Sequence, residues 1–336
     1  MGRGLSKVVG KSYGFVDNRD MSTLFYTHPI CIEHDAGGGH PESPDRLRAI
    51  MTALDGDDFS GLDRREAPKG SKSQIERVHL SEYVDAVLAA IPASGHVSLD
   101  PDTGVSPESG EAAFRAVGGV CAAVDAVIGG DADNAFCALR PPGHHAEAGR
   151  AMGFCLFNNI AIAAMHGLAK HGLERVAIVD FDVHHGNGSQ SACQSDARLF
   201  YASSHQSPAY PGSGRESECG EFENVVNVEL PPGSGSRLFR NAYTDRILPH
   251  LRAFAPQLLL ISAGFDAHAR DPLAMLELQD DDFAWVTEQL LDVAHECCGG
   301  RVVSVLEGGY DLDALASSTA SHVRALLAVA PGNASA

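Results

Sequence analysis

Two carboxylates and an imidazole alternate within one short stretch, V-A-I-V-D-F-D-V-H-H-G-N-G-S at residues 176–189. Asp180, Asp182 and His184 stand at i, i+2 and i+4, which share one face of a strand. The β-branched residues before them favour a buried strand. Buried polar groups are normally paired or bound to a metal, and this oxygen and nitrogen set suits Zn²⁺, or less strongly Mn²⁺ and Fe²⁺. A D-x-H sequence at a strand end also occurs in turns and caps. Residues elsewhere in the chain are therefore needed to distinguish a metal site from a turn.

Three further strand-like runs are each followed by groups that could do chemistry. These are residues 134–139 before His144 and His145, Leu258–Ala263 before Asp266, and Val302–Leu306 before Tyr310. Ligands of an open α/β sheet bind beyond the carboxyl ends of its strands. We therefore expect all four strand ends to deliver their reactive groups to one edge of a sheet.

The combined residues have the make-up of a hydrolytic metal site. Asp182, His184 and Asp266 would give three protein ligands and leave a position open, as catalytic zinc requires. Bound zinc acidifies water and polarises a carbonyl.

Neighbouring side chains could support that chemistry. One of His144 and His145 could carry the proton from water to a leaving amine, with Asp180 and Asn187 orienting the imidazoles. The hydroxyl of Tyr310, after two glycines, could meet a developing oxyanion. Phe154 and Tyr210 could wall a narrow channel, or be ordinary core and loop aromatics.

Composition restricts the classes of function. The chain has 336 residues, 44% of them hydrophobic, and a formal net charge of −19, which argues against nucleic acid and anionic membranes as partners. No apolar run approaches the roughly 20 residues of a membrane span. Eight cysteines without a C-x-x-C pattern predict reduced thiols in a cytoplasmic protein. Residues 1–22 are polar and Gly-rich and predict a loose tail, followed by one domain over 23–330.

The order of elements predicts an α/β fold, a mostly parallel sheet with helices on both faces. Val225–Leu230 alternates like an edge strand, and small residues over 109–128 predict a closely packed helix. One helix is predicted over 237–254. Residues 100–104 favour a solvated turn, although their two acids could meet a cationic ligand. Arg46 lies against the dipole preference of a helix predicted to begin at Pro44, which indicates either another role or a surface arginine.

Six motifs run in order along residues 140–310: R-P-P-G-H-H-A, G-F-C-x-F-N-N, D-F-D-V-H-H-G-N-G, S-P-A-Y-P-G-S-G, S-A-G-F-D-A-H and L-E-G-G-Y. With H-P-E-S-P-D-R-L at residues 40–47 they cover nearly the whole chain after the tail, and the set is highly specific. The sequence resembles the histone deacetylase family. Asn187, Leu273 and the L-E-G-G-Y form are similar to its class II branch and bacterial relatives, including acetylpolyamine amidohydrolases.

The resemblance implies a single-domain arginase-like fold and hydrolysis of an acetyl amide. By resemblance, zinc is held by Asp182, His184 and Asp266, and a structural potassium ion by Asp180, Asp182, His184, Ser203 and Ser204. The implied catalytic residues are His145 as general acid/base, His144 hydrogen-bonded to Asp180, Tyr310 on the carbonyl, and Asn187 beside His145. The implied substrate-binding residues are Gly153, Phe154, Tyr210, Leu273 and Gly308. Because Asn187 is neutral, the pKa of His145 should be raised less than it would be beside an aspartate.

The sequence is compatible with more than one hypothesis about the function. The first is a zinc-dependent deacetylase acting on acetyl-lysine in a peptide or protein; the alternative is an acetylpolyamine or other small-amide amidohydrolase. A binuclear Mn²⁺ ureohydrolase would need D-x-H-x-D, where this chain has Gly186. A non-catalytic acyl-lysine binding protein would be expected to lose a ligand or the tyrosine. The acyl group, Zn²⁺ versus Fe²⁺ and a possible homo-oligomer are left undecided.

Overall fold

A computed structural model describes residues 22–328. The predicted tail, apart from Ser22, lies outside the described residues. The strands are β1 (Thr23–Thr27), β2 (Leu62–Glu66), β3 (Val97–Asp100), β4 (Thr103–Val105), β5 (Asn134–Cys137), β6 (Val176–Asp180), β7 (Leu199–Gln206), β8 (Val225–Leu230), β9 (Leu258–Ala263) and β10 (Val302–Leu306). The α-helices are α1 (Ile30–Glu33), α2 (Pro44–Ala53), α3 (Lys72–Ile75), α4 (Ser81–Ala90), α5 (Ser109–Gly129), α6 (Asn159–His171), α7 (Asn187–Cys193), α8 (Ser236–Ala242), α9 (Leu248–Phe254), α10 (Asp280–Cys298) and α11 (Leu312–Ala328).

Eight strands form one parallel sheet in the order β2-β1-β5-β10-β9-β6-β7-β8. Helices α5 and α6 pack on one face, and α10 and α11 pack on the other. The strands β5, β10, β9 and β6 are buried along their whole length, as strands covered on both faces should be. These four neighbouring strands carry the reactive groups on the loops after their carboxyl ends. The predicted α/β fold is confirmed, and Val225–Leu230 is an edge strand.

Helix α5 packs closely, as its small residues predict. A Cβ at Gly118 would lie 1.9 Å from the carbonyl oxygen of Pro68, so the helix backbone touches the loop before α3. By length and composition α5 is also apolar enough to cross a membrane, but 67% of its most apolar window is buried inside the fold. The expectation that no run approaches a membrane span was therefore wrong, because alanine and glycine extend this core helix.

One other local prediction needs correction, and two local elements were not predicted from the sequence. The helix predicted over 237–254 is interrupted by a π-helical turn at Tyr243–Ile247. Edge strand β2 reads L-D-R-R-E, which lacks an apolar pattern, and pairing with β1 forms it. Residues 100–104 form the tip of an antiparallel hairpin, in which Pro101 and Asp102 make the predicted turn between β3 and β4.

Candidate active site

The four central strand ends surround a channel of about 220 Å³. Its lining residues are Asp102, His145, Gly153, Phe154, His184, Tyr210, Leu273 and Tyr310. Seven of these eight were candidate site residues from the sequence. The fold therefore brings residues that are up to 208 positions apart, Asp102 and Tyr310, into one narrow space.

Asp182, His184 and Asp266, which we call the edge cluster, offer ligand atoms that all lie within 4.8 Å of one another. His184 Nδ1 is 3.3 Å from both Asp182 Oδ1 and Asp266 Oδ2. Both carboxylates are almost completely buried, and Asp266 Oδ2 has no hydrogen-bond partner among the described residues. A buried carboxylate oxygen that accepts no hydrogen bond and faces only an imidazole nitrogen at 3.3 Å favours a bound cation.

The electrostatics of the edge cluster also favour a cation. Burial opposes charge on His184, but the two carboxylates raise its pKa to about 10. Burial and the charge of Asp182 raise the pKa of Asp266. The group thus stabilises positive charge at its centre, and its donor set fits zinc. A Cβ at Gly308 would meet Asp266 Oδ2 at 2.0 Å, so this glycine lets the backbone lie against the carboxylates.

His144 and His145 sit side by side, with ring centroids 4.0 Å apart, but their surroundings differ. His144 Nδ1 is 3.0 Å from Asp180 Oδ2, and His145 Nδ1 is 2.9 Å from Asn187 Oδ1. Although burial opposes it, Asp182, Asp180 and Glu307 raise the pKa of His144 well above its usual range. Burial, with the charges of His144 and His184, holds the pKa of His145 well below it. Two titratable groups pushed apart in this way are suited to different roles in proton transfer.

Three buried charged residues hold the loop that carries Tyr310. Arg46 Nε donates to the carbonyl of Gly309 at 2.6 Å, and its guanidinium lies 4.9 Å from the Tyr310 ring centroid. Asp271 Oδ2 accepts from the Tyr310 amide at 2.7 Å. The carboxylate of Glu307 accepts from the Gly143 amide at 2.8 Å, joining this loop to the histidine loop.

Tyr310 and Arg46 each have a property that bears on their part in the site. Burial raises the pKa of Tyr310 well above its usual range, so its hydroxyl remains a donor. Arg46 is not a surface arginine; it is fully buried and bound to Glu42.

The hairpin β3–β4 shapes one wall of the channel. Asp102 Oδ1 accepts from the Gly153 amide at 3.0 Å, and Thr103 Oγ1 accepts from the Phe154 amide at 3.1 Å. These bonds hold Gly153 and Phe154 at φ of 56° and 69°, a region that non-glycine residues seldom adopt. A Cβ at Gly153 would meet the His145 ring at 2.3 Å, so glycine lets the wall approach the histidine.

The remaining predicted residues lie at the rim or beneath the channel. Tyr210 and Leu273 line the mouth, and each is 40% exposed. Ser203 pairs with Asp180 in the sheet, and four of the predicted potassium residues, Asp180, Asp182, Ser203 and Ser204, are buried. The hydroxyls of Ser203 and Ser204 bond to His205 and Tyr243 at 2.9 and 3.4 Å, so potassium would rely on other oxygens there.

A second group has the ligand atoms for a metal. Asp125, His166 and His171, which we call the helix cluster, also lie within 4.8 Å of one another. Asp125 Oδ1 is 2.8 Å from His166 Nε2 and 2.7 Å from His171 Nε2. The cluster lies on α5 and α6, away from the strand ends that form the channel.

Comparison with known proteins settles the family. Residues 40–326 match the family model described as Histone deacetylase domain. The chain belongs to the histone deacetylase family. Among its relatives, the histone deacetylase-like amidohydrolase of Pseudomonas aeruginosa is 39% identical over 86% of this chain and 81% of that protein. The probable deacetylase of Archaeoglobus fulgidus is 36% identical over 87% and 82% of the two chains.

Structural comparison agrees with this histone deacetylase assignment. The crystal structure of the HDA15 HD domain superposes with a TM-score of 0.87 and 34% identity, covering 94% of this chain and 91% of that one. The predicted arginase/deacetylase-like α/β fold and the resemblance to the class II-like bacterial branch are therefore confirmed. The chain is a deacetylase-type hydrolase.

Sequence reasoning missed the residues that support the active site of this histone deacetylase family member. The sequence favours a solvated turn for Asp102, with a cationic ligand as the alternative, and does not single out Glu147, Asp271 or Glu307. Their partners are 39 to 164 residues away in the chain, so no local spacing reveals them. The one usable signal was acidic residues placed next to motif glycines and histidines, as Glu307 is.

Proposed function

We propose that this protein is a zinc-dependent amidohydrolase that removes the acetyl group from acetyl-lysine in a peptide or protein. The observation that carries the proposal is the buried oxygen of Asp266 that accepts no hydrogen bond, in a three-ligand group at a narrow channel. Asp182, His184 and Asp266 would hold the metal. When bound, zinc would acidify a water molecule and polarise the amide carbonyl.

The two histidines divide the proton chemistry. His145 is neutral and lines the channel, so it accepts the proton of the attacking water and returns it to the leaving amine. His144 is protonated against Asp180 and supplies positive charge beside the reaction. Asn187 orients His145.

Tyr310 and the channel walls act on the substrate. The hydroxyl of Tyr310 donates to the oxygen that develops negative charge. Phe154 and Tyr210 flank the acyl-amine chain, Leu273 meets the substrate at the rim, and Gly153 and Gly308 leave room at the base. We also propose a structural potassium ion beside Asp180, Asp182, His184, Ser203 and Ser204, bound largely through carbonyl oxygens.

A binuclear ureohydrolase is disfavoured by the space around Gly186. A Cβ there would lie 2.4 Å from Asp180 Oδ2 and 2.8 Å from the Tyr201 hydroxyl. No further carboxylate can enter at this position without moving both partners. The complete set of ligands and Tyr310 likewise argues against a non-catalytic binding protein.

An acetylpolyamine remains the alternative substrate. Asp102 at the channel and the net charge of −19 suit the second ammonium group of a polyamine as well as a basic peptide. We further propose a cytoplasmic protein of one catalytic domain over 23–330 with a tail over 1–22, capable of homo-oligomerisation. We propose acetylated substrates as its partners, and neither nucleic acid nor membrane.

The test is a side-by-side turnover assay with the metal content measured on the same sample. The substrates are an acetyl-lysine peptide, a trifluoroacetyl-lysine peptide and N-acetylputrescine. We expect peptide turnover with one zinc per chain. Turnover of N-acetylputrescine alone would show that the substrate is an acetylpolyamine. Iron in the active samples would show that the catalytic metal is iron and not zinc. No turnover of any substrate by metal-loaded protein would reject the proposed reaction.

A further inference from the structure

Glu147 lies just outside the channel and reaches His145 through Asn187. Glu147 Oε1 accepts from Asn187 Nδ2 at 2.9 Å, and Asn187 Oδ1 is 2.9 Å from His145 Nδ1. The three side chains form a chain of two hydrogen bonds. Asn187 and Glu147 also line a polar cavity of about 380 Å³ behind the histidine.

The contacts of Asn187 fix which way its amide points. Its Nδ2 faces Glu147 Oε1 at 2.9 Å, the His145 carbonyl at 3.2 Å and Met152 Sδ at 3.4 Å. All three can only accept hydrogen bonds, so the NH₂ group must be on that side. The amide oxygen therefore faces His145.

This orientation decides the tautomer of His145. An amide oxygen can only accept, so His145 Nδ1 must carry the proton. In the neutral ring the lone pair then sits on Nε2, the nitrogen that Asn187 does not engage. A general base needs that lone pair, so the amide orientation selects the reactive form of the imidazole.

The backbone of Glu147 is fixed on both sides. His79 Nε2 accepts from the Asn158 amide at 2.8 Å, so its Nδ1 donates to the Glu147 carbonyl at 2.9 Å. Glu147 and Arg150 also exchange backbone hydrogen bonds of 3.0 and 3.4 Å. The Arg150 guanidinium pairs instead with Asp100 at 2.9 Å, which leaves the Glu147 carboxylate to Asn187.

We propose that Glu147 is a positioning residue for the reaction: by holding the Asn187 amide, it keeps His145 in the tautomer whose Nε2 is the base. This inference rests on the proposed function through the role of His145. Without the carboxylate, a flipped amide would present Nδ2 to the ring and favour the opposite tautomer. Supporting residues of this kind typically change activity by about 10- to 100-fold.

Steady-state kinetics on the acetyl-lysine peptide test this role. Glu147→Ala should lower kcat by roughly 10- to 100-fold with KM changed less than about threefold and metal content unchanged. Glu147→Gln keeps an acceptor oxygen and should retain most of kcat. Gln194→Ala removes a side chain from the same cavity and serves as the matched control. A wild-type kcat in Glu147→Ala would overturn the proposal.

A double variant separates amide orientation from general disruption. In Asn187→Asp there is no amide to orient, and Glu147 would face a second carboxylate. Adding Glu147→Ala to that variant should therefore leave kcat unchanged or raise it. If Glu147→Ala lowers kcat by the same factor in both backgrounds, the residue acts by some other route and the proposal is wrong.

Histidine-labelled NMR gives a readout that does not depend on turnover. In the metal-loaded wild type, the ring of His145, assigned by its loss in His145→Ala, should carry its proton on Nδ1. Glu147→Ala should move that proton wholly or partly to Nε2. An unchanged Nδ1–H signal would overturn the inference, even in a protein that hydrolyses all the substrates. The reverse result, a moved proton in a protein that hydrolyses none, would leave the inference standing and reject the proposed function.

Discussion

The edge cluster and the helix cluster contain similar residue types in similar proximity, yet their neighbours differ. Asp125 Oδ2 accepts from Lys170 Nζ at 2.7 Å, while Arg77 Nη1 is 2.6 Å from His166 Nδ1. Within residues 22–328, no lysine or arginine side chain donates to the carboxylates of the edge cluster. The helix cluster has a lysine and an arginine as partners, whereas the carboxylates of the edge cluster face only its own histidine among these residues.

Arg77 also determines the proton on His166. A guanidinium can only donate, so Nδ1 of His166 must accept and Nε2 must carry the hydrogen toward Asp125. The nitrogen that would bind a metal therefore has no free lone pair. Asp125 has its pKa lowered because hydrogen bonds from Lys170 and the two histidines outweigh its burial. Ligand type and spacing alone do not define a metal site; the surrounding charges do.

The strongest test removes one ligand from each cluster. Asp266→Asn should lose the bound zinc, and turnover should fall by more than the ~100-fold typical of supporting residues. His166→Gln should keep one zinc per chain and near-normal kcat. Metal analysis and the peptide assay on both variants check this. Equal loss of zinc from the two variants would contradict the claim that only the edge cluster binds the metal.

Tyr310→Phe tests whether the hydroxyl beside the edge cluster donates a hydrogen bond to the developing oxyanion. Loss of one oxyanion donor typically lowers kcat by 10²- to 10³-fold. We expect that loss with zinc content unchanged, because the Tyr310 hydroxyl is not one of the proposed ligands. Tyr26→Phe removes a hydroxyl from a buried tyrosine on β1, away from the channel, and is the matched control. Full activity in Tyr310→Phe would reject the oxyanion role.

Removing the two cations should make the clusters more alike. In a variant with Arg77→Met and Lys170→Met, Asp125 loses one partner and His166 Nδ1 is free to carry a proton. Nε2 then has a lone pair for a metal, so we expect a second, weaker equivalent of zinc by titration calorimetry. Adding Asp125→Asn should remove that second equivalent. Continued binding of a single zinc would mean that the cations are not what excludes metal from the helix cluster.

The smallest effect concerns a buried histidine that, unlike His166, has no carboxylate partner. His322 is bonded to Thr287 Oγ1 and Ser304 Oγ at 2.6 and 2.8 Å, and burial lowers its pKa to about 3. Because the unfolded histidine takes up a proton near pH 6.5, its contribution to stability is complete above that pH and is lost toward pH 3.

The corresponding measurement is the free energy of unfolding at pH 7.5 and pH 5.0. Wild type should lose about 2 kcal/mol more than His322→Gln between these values, from ~1.4 kcal/mol per pH unit below 6.5. His250→Gln alters an exposed histidine and should behave as wild type. Parallel losses in wild type and His322→Gln would show that His322 does not set the acid sensitivity.

Much of the fold was predictable because its central strands are long apolar runs separated by helices. The strands β6, β9 and β10 were found within a residue or two of their bounds for this reason. Edge strand β2 was not, because its residues are mostly polar and only the pairing of Leu62 with Thr23 reveals it. The hairpin around Asp102 was not predicted, because its Asp, Pro and Gly residues are equally typical of a loop without paired strands.

The sequence by itself determined the residue types at the active site. Alternation predicted Asp180, Asp182 and His184 on one face of a strand, although β6 ends at Asp180 and the other two lie in the loop that follows it. The motifs carried the family. Only the tertiary structure decided that β5, β10, β9 and β6 are neighbours, which brings Tyr310 and Asp266 to the histidines. It also decided which Asp and His cluster has lysine and arginine partners and which way Asn187 points. These are long-range contacts, and their energies depend on burial and on partners that spacing along the chain does not encode.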